Sequence, residues 1–123
     1  MQDYYLHGGP KALDFHENYN QAPQYRGEYS TELFVRKGIE WVRNETSTKN
    51  ESTLLYLAFQ AVHGPIEMPP HQYQAACGHI KEPTRRTYCA MMQSLDEGIA
   101  NLTAAYKQLN IFDDTLFLFL ADK

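Results

Sequence analysis

The chain has 123 residues, 43% of them hydrophobic and 13% aromatic, which is enough for one ordinary core and excludes wholesale disorder. Its formal net charge of −4 at pH 7, with no basic cluster beyond Arg85-Arg86, excludes the footprint of a nucleic-acid binder. No apolar run reaches the ~20 residues of a membrane span, and the first ten residues show no signal peptide.

The N-terminal segment, residues 1–29, is rich in Tyr, Gly, Asn and Gln. It predicts a loop with one brief strand near the apolar patch Ala12–Phe15. The two histidines of this segment, His7 and His16, are expected at the surface.

A helix is predicted from Ser30, because Ser30 and Thr31 can cap its N-terminus and Glu32 suits its first turn. The apolar face recurs at spacings of four and three, at Val35, Ile39 and Val42. The polar run Arg43–Thr53 then predicts an exposed loop.

Two apolar runs on either side of a long helical pattern predict buried strands. Leu54–Val62 is almost continuously apolar, as in a strand covered on both faces, and Thr115–Ala121 is a second such run. Thr84–Leu109 predicts the helix between them. Its apolar stripe consists of Tyr88, Leu95, Ile99, Leu102, Tyr106 and Leu109. This order predicts a right-handed βαβ unit of an α/β protein.

One histidine and one aspartate directly follow the predicted strands, His63 and Asp122. Ligands of open α/β sheets bind beyond the carboxyl ends of the strands, so both side chains are expected at one pocket. An imidazole there can act as a general acid, an anion-binding donor or a metal ligand, and a carboxylate can bind a hard cation. The alternatives are a histidine bonded to the backbone of its own turn and an aspartate in solvent.

Three N-x-S/T triplets begin at Asn44, Asn50 and Asn101, and each is a candidate N-glycosylation site. They favour a secreted or lumenal parent protein. Cys77 and Cys89 fit the same setting as a disulfide, which would stabilise the fold by roughly 3 kcal/mol in the loop-entropy description. Two unpaired thiols are the alternative.

Three blocks of the chain resemble consecutive blocks of a sulfatase: YSTELFVRKGIEWV, LLYLAFQAVHGPIEMPP and RRTYCAMMQSLDEGIANLTAAYKQLNIFDDTLFLFLAD. The leading DYY and ALDF fit the arylsulfatase B, or N-acetylgalactosamine-4-sulfatase, subgroup. The resemblance implies an α/β fold of the alkaline-phosphatase-like class. It implies that residues 1–123 are a central, incomplete part of the N-terminal catalytic domain, with helix, strand, long helix and strand.

The resemblance also implies a chemistry, the hydrolysis of sulfate esters of sugars or aryl groups. Family enzymes use a formylglycine, made from cysteine or serine, whose hydrate attacks sulfur, and a calcium ion that neutralises sulfate oxygens. His63 matches the histidine of the VH-x-P segment, which contacts the sulfate ester, and is the expected catalytic and substrate-binding residue. Asp122 matches a calcium ligand in the DNG motif. A lysosomal or secreted parent protein is implied as well.

Several family features are missing from this sequence. Lys123 stands where the family has an asparagine ligand, and an ammonium group cannot coordinate calcium. Neither Cys77 nor Cys89 is followed by x-Pro-Ser-Arg, the context of the nucleophile. We therefore expect a fragment that is inactive alone and lacks the remainder of the domain. The alternative is a non-catalytic fragment that binds a sulfated glycan or a protein partner. A zinc-dependent phosphodiesterase relative fits the VHGP block less well.

Overall fold

The structure, a computed structural model, describes residues 3–8, 13–48 and 51–121. Two long helices dominate it, α1 at Ser30–Thr48 and α2 at Pro83–Gln108. A small antiparallel hairpin precedes them, formed by β1 at His16–Glu17 and β2 at Asn20–Gln21. Short 3-10 turns lie at Pro23–Tyr25, His71–Tyr73 and Ala75–Cys77.

Helix α1 begins at Ser30 as predicted, but the loop predicted from Arg43 is wrong as far as Thr48, because the helix continues through this polar stretch. Its hydroxyl side chains bond back to helix carbonyls: Thr46 Oγ1 donates to Val42 O at 2.8 Å and Ser47 Oγ to Asn44 O at 3.0 Å. Such bonds satisfy the hydroxyls locally, so polar residues can extend a helix that packing has already established.

Helix α2 agrees with its predicted limits to within one residue at each end. Glu82 caps it by accepting hydrogen bonds from the amides of Thr84 and Arg85, and Pro83 takes the first helical position, where no amide hydrogen is needed. The predicted stripe is partly wrong, since Tyr88 is exposed. The buried residues of α2 are Ala90, Met91, Ser94, Leu95, Gly98, Ala105 and Tyr106.

The two helices approach each other closely at Gly98. A Cβ atom added there would lie 2.8 Å from Cγ2 of Val35, a distance at which something would have to move. A second glycine, Gly38, turns toward the segment after α1, where an added Cβ would meet Leu55 and Leu57 at 3.6 Å. Helix α1 therefore packs against α2 on one side and against the Leu55–Leu57 stretch on another.

The predicted strand Leu54–Val62 forms no strand ladder within the described residues. Exposure alternates along it with the period of an extended chain: Leu54 and Tyr56 are each 87% exposed, whereas Leu55 and Leu57 pack on Gly38. The prediction of cover on both faces is wrong here, because α1 covers one face only. Ala61 and Val62 already belong to the turn before His63.

The second predicted strand, Thr115–Ala121, is likewise not paired within the described part of the chain. Its leucines are largely exposed, and Phe117 alone packs its ring against other rings, those of Tyr106 at 5.0 Å and Phe112 at 5.4 Å. The brief strand expected near Ala12–Phe15 lies slightly later, at β1. Pairing needs a partner strand as well as an apolar sequence, and these runs meet none among the residues described.

Candidate functional site

His63 lies on a tight turn that leaves its side chain exposed. The amide of His63 donates to Gln60 O at 2.9 Å, and the imidazole Nδ1 lies 2.8 Å from Gly64 O. A carbonyl oxygen can only accept, so Nδ1 carries a hydrogen in this contact. Nε2 makes no hydrogen bond to any residue that the structure describes. The backbone contact weighed as the alternative for His63 is therefore present, and it leaves the other nitrogen for a ligand.

Two tyrosines from the N-terminal segment hold this turn. The single hydrogen of the Tyr4 hydroxyl is shared between His63 O at 2.7 Å and Gln60 O at 3.0 Å. The Tyr4 amide donates to Glu67 Oε2 at 2.7 Å, and the Tyr5 hydroxyl donates to Met68 O at 2.8 Å. The loop from 60 to 68 is thus fixed at four points by residues about sixty positions earlier in the chain.

Asp3 shapes the turn from which these tyrosines project. Its Oδ1 accepts from the amides of Tyr5 at 3.1 Å and His7 at 3.2 Å, and from that of Leu6. Burial raises the pKa of the Asp3 carboxyl, but the backbone amides outweigh it, and the net effect lowers the pKa. A charged Asp3 therefore orders the segment that holds the His63 turn.

The surface position predicted for His7 is wrong, whereas His16 is exposed as predicted. The His7 ring is fully buried, stacks on Phe15 with centroids 4.5 Å apart, and places Nε2 2.9 Å from Tyr25 O. This histidine closes the N-terminal segment onto the turn before α1, and it has a packing role rather than a place beside His63.

Asp122, the expected calcium ligand, lies outside the described residues, as does Lys123. Within the ranges that are described, no group of three or more His, Cys, Asp or Glu side chains could hold a metal ion. The pairing of His63 with Asp122 at one pocket stays a prediction.

Cys77 and Cys89 are joined in the structure by a disulfide. It ties the 3-10 turn Ala75–Cys77 to the first part of α2, and Cys77 is completely buried. Of the candidate glycosylation sites, Asn44 on α1 and Asn101 on α2 are exposed, and Asn50 lies outside the described residues. Their modification stays a prediction.

An open groove of about 450 Å³ is lined in part by Ile66, three residues after His63 in the chain. It is mostly apolar, with one cation, and its lining consists of Ile66, Ile80, Thr84, Arg85, Tyr88 and Cys89. The disulfide forms part of this wall, so it shapes the surface beside the His63 loop as well as the core.

Sequence reasoning assigned no role to Tyr4 or Glu67, although both hold the His63 turn. The DYY triplet was visible as a family resemblance, yet nothing in its composition shows which loop it contacts. The acceptors of the Tyr4 hydroxyl are main-chain carbonyls, which every residue has. No particular residue type at position 60 or 63 could therefore have indicated this contact.

The sulfatase family model matches residues 2–123. Mouse (Mus musculus) arylsulfatase J is 32% identical over 98% of this chain, and the uncharacterized sulfatase YdeN of Escherichia coli is 32% identical over 66% of it. The crystal structure of Ps i-CgsB in complex with k-i-k-neocarrahexaose superposes with a TM-score of 0.74 and 28% identity over 81% of the chain. A second crystal structure of Ps i-CgsB matches equally well, with a TM-score of 0.74 and 28% identity.

These likenesses show that the chain belongs to the sulfatase family and carries part of the sulfatase fold. It spans about a fifth of the first curated relative, 21%, and 14% of the second. It also spans 21% of the Ps i-CgsB chain. No helix among the described residues is long and apolar enough to cross a membrane.

Proposed function

We propose that the chain forms the central part of the catalytic domain of a sulfate ester hydrolase that acts on sulfated sugars or aryl sulfates. Family membership and the likeness to arylsulfatase J support the reaction class. The k-i-k-neocarrahexaose bound to Ps i-CgsB supports a sugar as the substrate.

The observation that carries the proposal is the state of the His63 imidazole. Nδ1 is occupied by Gly64 O at 2.8 Å, and the exposed side chain keeps Nε2 for a ligand. In the protonated ring, Nε2–H would donate a charge-assisted bond to a sulfate oxygen, roughly twice as strong as a neutral one. The same donor would stabilise negative charge as the ester bond breaks.

Calcium and the formylglycine belong to the proposed complete site. Calcium takes six to eight oxygen ligands, and Asp122 would supply one carboxylate, so the other ligands would come from further residues of that site. The aldehyde would also come from elsewhere, because Cys77 and Cys89 are both bonded to each other. When bound, calcium would neutralise charge on the sulfate group.

A secreted or lysosomal location is part of the proposal. Disulfides persist mainly in oxidising compartments, and the Cys77–Cys89 bond fits such a setting. The exposed side chains of Asn44 and Asn101 are accessible to glycosylation.

Sulfate binding tests the role of His63. Inorganic sulfate is titrated into the ¹⁵N-labelled chain, and the imidazole and amide signals of the turn are followed. We expect saturable shifts at His63, and about tenfold weaker binding in His63→Ala, since one charge-assisted hydrogen bond is lost. The control is His71→Ala, another exposed histidine, which should bind sulfate like the parent chain. Equal sulfate affinity in His63→Ala and the parent would refute the proposal.

Turnover separates the enzyme from the second candidate function, a non-catalytic binder of sulfated glycans. That candidate is favoured by one observation, the engagement of both cysteines in the disulfide. In a protein of sulfatase length that carries residues 1–123, we expect release of sulfate from an aryl sulfate, reduced about 100-fold in kcat by His63→Ala. Saturable binding of a sulfated oligosaccharide without any release would favour the binder.

A further inference from the structure

Tyr4 contacts the His63 turn through both its side chain and its main chain. Its ring is fully buried, its hydroxyl reaches the carbonyl of His63 itself at 2.7 Å, and its amide holds Glu67 at 2.7 Å. The turn before the imidazole and the loop after it are therefore held by one residue from a distant segment, through its hydroxyl and its amide respectively. Nothing in the sulfatase assignment of His63 requires or explains these contacts.

Tyr4 is anchored at the start of α1 and on α2. Its ring stacks on Tyr29, the residue before α1, with centroids 5.1 Å apart, and the Tyr4 carbonyl accepts from the amide of Ser30, the first residue of α1. Met91 of α2 lies in the same buried cluster, with Ala61 and Val62 of the turn packed against it. The position of the Tyr4 hydroxyl is consequently set by the most regular part of the molecule.

The Tyr4 hydroxyl is a donor that physiological pH does not switch off. Burial, and after it the nearby charge of Glu67, raises its pKa to about 12. The phenol therefore keeps its hydrogen at physiological pH, and that hydrogen stays shared between the two turn carbonyls.

We propose that Tyr4 is the positioning residue for His63: by bonding to the His63 carbonyl, it fixes the turn and hence the direction in which Nε2 meets a sulfate group. The inference rests on the proposed function of His63. Groups that bind a reacting centre must be held within about 0.5 Å of the productive geometry, and an exposed turn without such a restraint would not hold one.

The test compares two chemically identical changes, Tyr4→Phe and Tyr5→Phe. Both remove one phenolic oxygen, but Tyr5 bonds to Met68 O and not to His63. The readouts are the ¹⁵N imidazole spectrum of His63, which reports the hydrogen on Nδ1, and the Kd for inorganic sulfate. We expect Tyr4→Phe to broaden the Nδ1–H signal of His63 and to raise the Kd for sulfate about tenfold. Tyr5→Phe should leave that signal unchanged and the Kd within about twofold of the parent value.

A folded Tyr4→Phe chain with an unchanged His63 spectrum and unchanged sulfate Kd would overturn the inference, because Tyr4 would then be packing alone. A changed spectrum with an unchanged Kd would overturn it as well. Should Tyr4→Phe fail to fold in the chain of 123 residues, Tyr4→Phe and Tyr5→Phe are compared in a protein of sulfatase length that carries residues 1–123. We expect kcat for an aryl sulfate to fall about tenfold in Tyr4→Phe and to stay within about twofold in Tyr5→Phe; equal kcat in the two variants would overturn the inference.

The same measurements separate this inference from the proposed function. If His63→Ala binds sulfate as the parent does, the role of His63 fails and the inference fails with it. If His63→Ala loses binding but Tyr4→Phe retains it, only the positioning role of Tyr4 is refuted.

Discussion

Among single residues, two helical glycines stand in different surroundings and give a matched pair of tests. An added Cβ would press on Val35 at Gly98, but would make ordinary contacts with Leu55 and Leu57 at Gly38. We expect Gly98→Ala to be less stable than Gly38→Ala by about 1–3 kcal/mol, the usual consequence of overpacking, as measured by urea unfolding at low protein concentration.

The comparison is informative because both changes gain the same helix propensity, about 1 kcal/mol, which cancels between them. Gly38→Ala is therefore expected to be at least as stable as the parent chain. A Gly98→Ala variant that matches Gly38→Ala would show that the two helices can separate without loss, contrary to the packing at Val35.

The residues of the candidate site could be predicted only in part. A turn at His63 follows from the glycine and proline after it, and the structure confirms an exposed imidazole on such a turn. The restraint from Tyr4 could not be predicted, because it joins positions 59 apart through a main-chain carbonyl. Local sequence preference has no access to a contact of that kind.

At the level of elements, the cap of α2 makes stability depend on pH. Hydrogen bonds from the amides of Arg85 and Thr84 lower the pKa of the Glu82 carboxyl. A carboxyl whose pKa is lower in the folded state stabilises that state above its ordinary value near 4.5, and the contribution disappears as pH falls through the lowered value. We expect the Tm difference between the parent and Glu82→Gln to shrink from about pH 5 to about pH 2.5.

The control for this experiment is Glu97→Gln, an exposed glutamate in the interior of the same helix. Its Tm should follow that of the parent across the acid range. A constant Tm difference between Glu82→Gln and the parent down to pH 2.5 would argue that Glu82 is no charged cap.

The disulfide is the second element-scale device, since it fastens the Ala75–Cys77 turn to α2 across a separation of 12 residues. Closing such a loop restricts the unfolded chain and is worth roughly 3 kcal/mol in the chain-entropy description. We expect Cys77→Ser with Cys89→Ser to lose up to that amount in urea unfolding, and a reducing agent to lower the Tm of the parent chain but not of the double variant. A parent chain insensitive to the reductant would contradict this account.

The helices were predictable because their apolar spacing is a property of each segment alone. The limits of α2 came out within one residue, and α1 exceeded its prediction only through hydroxyls that bond back to the helix. The strands could not be predicted in the same way, because an apolar run such as Leu54–Val62 becomes a strand only when another chain segment pairs with it. The alternating exposure of that run shows one packed face and one bare face.

For the whole molecule, the bare apolar stretch near residue 118 predicts self-association. Leu118 is 75% exposed, and its neighbours Leu116 and Leu120 are more so. Exposed apolar segments without a paired edge are aggregation sites, and an added charge protects them. We expect Leu118→Lys to remain monomeric at concentrations where the parent chain forms larger species in sedimentation velocity.

The matched variant for this prediction is Phe117→Lys, which adds the same charge one position earlier. Phe117 packs on Tyr106 and Phe112, so this change should also lower stability by about 1–2 kcal/mol in thermal or urea unfolding. If Leu118→Lys associates as strongly as the parent, the exposed apolar segment around residue 118 is not the surface through which the chain self-associates.

The contact between Tyr4 and the turn carbonyls also bears on how this segment can vary over evolution. The Tyr4 phenol bonds to the main-chain carbonyl of residue 63, so the contact does not depend on which side chain residue 63 carries. That histidine could therefore be replaced without any compensating change at position 4. Covariation between the two positions should therefore be weak, even though they touch. If selection maintains the orientation of the imidazole, position 4 should instead accept no substitution of tyrosine, not even phenylalanine.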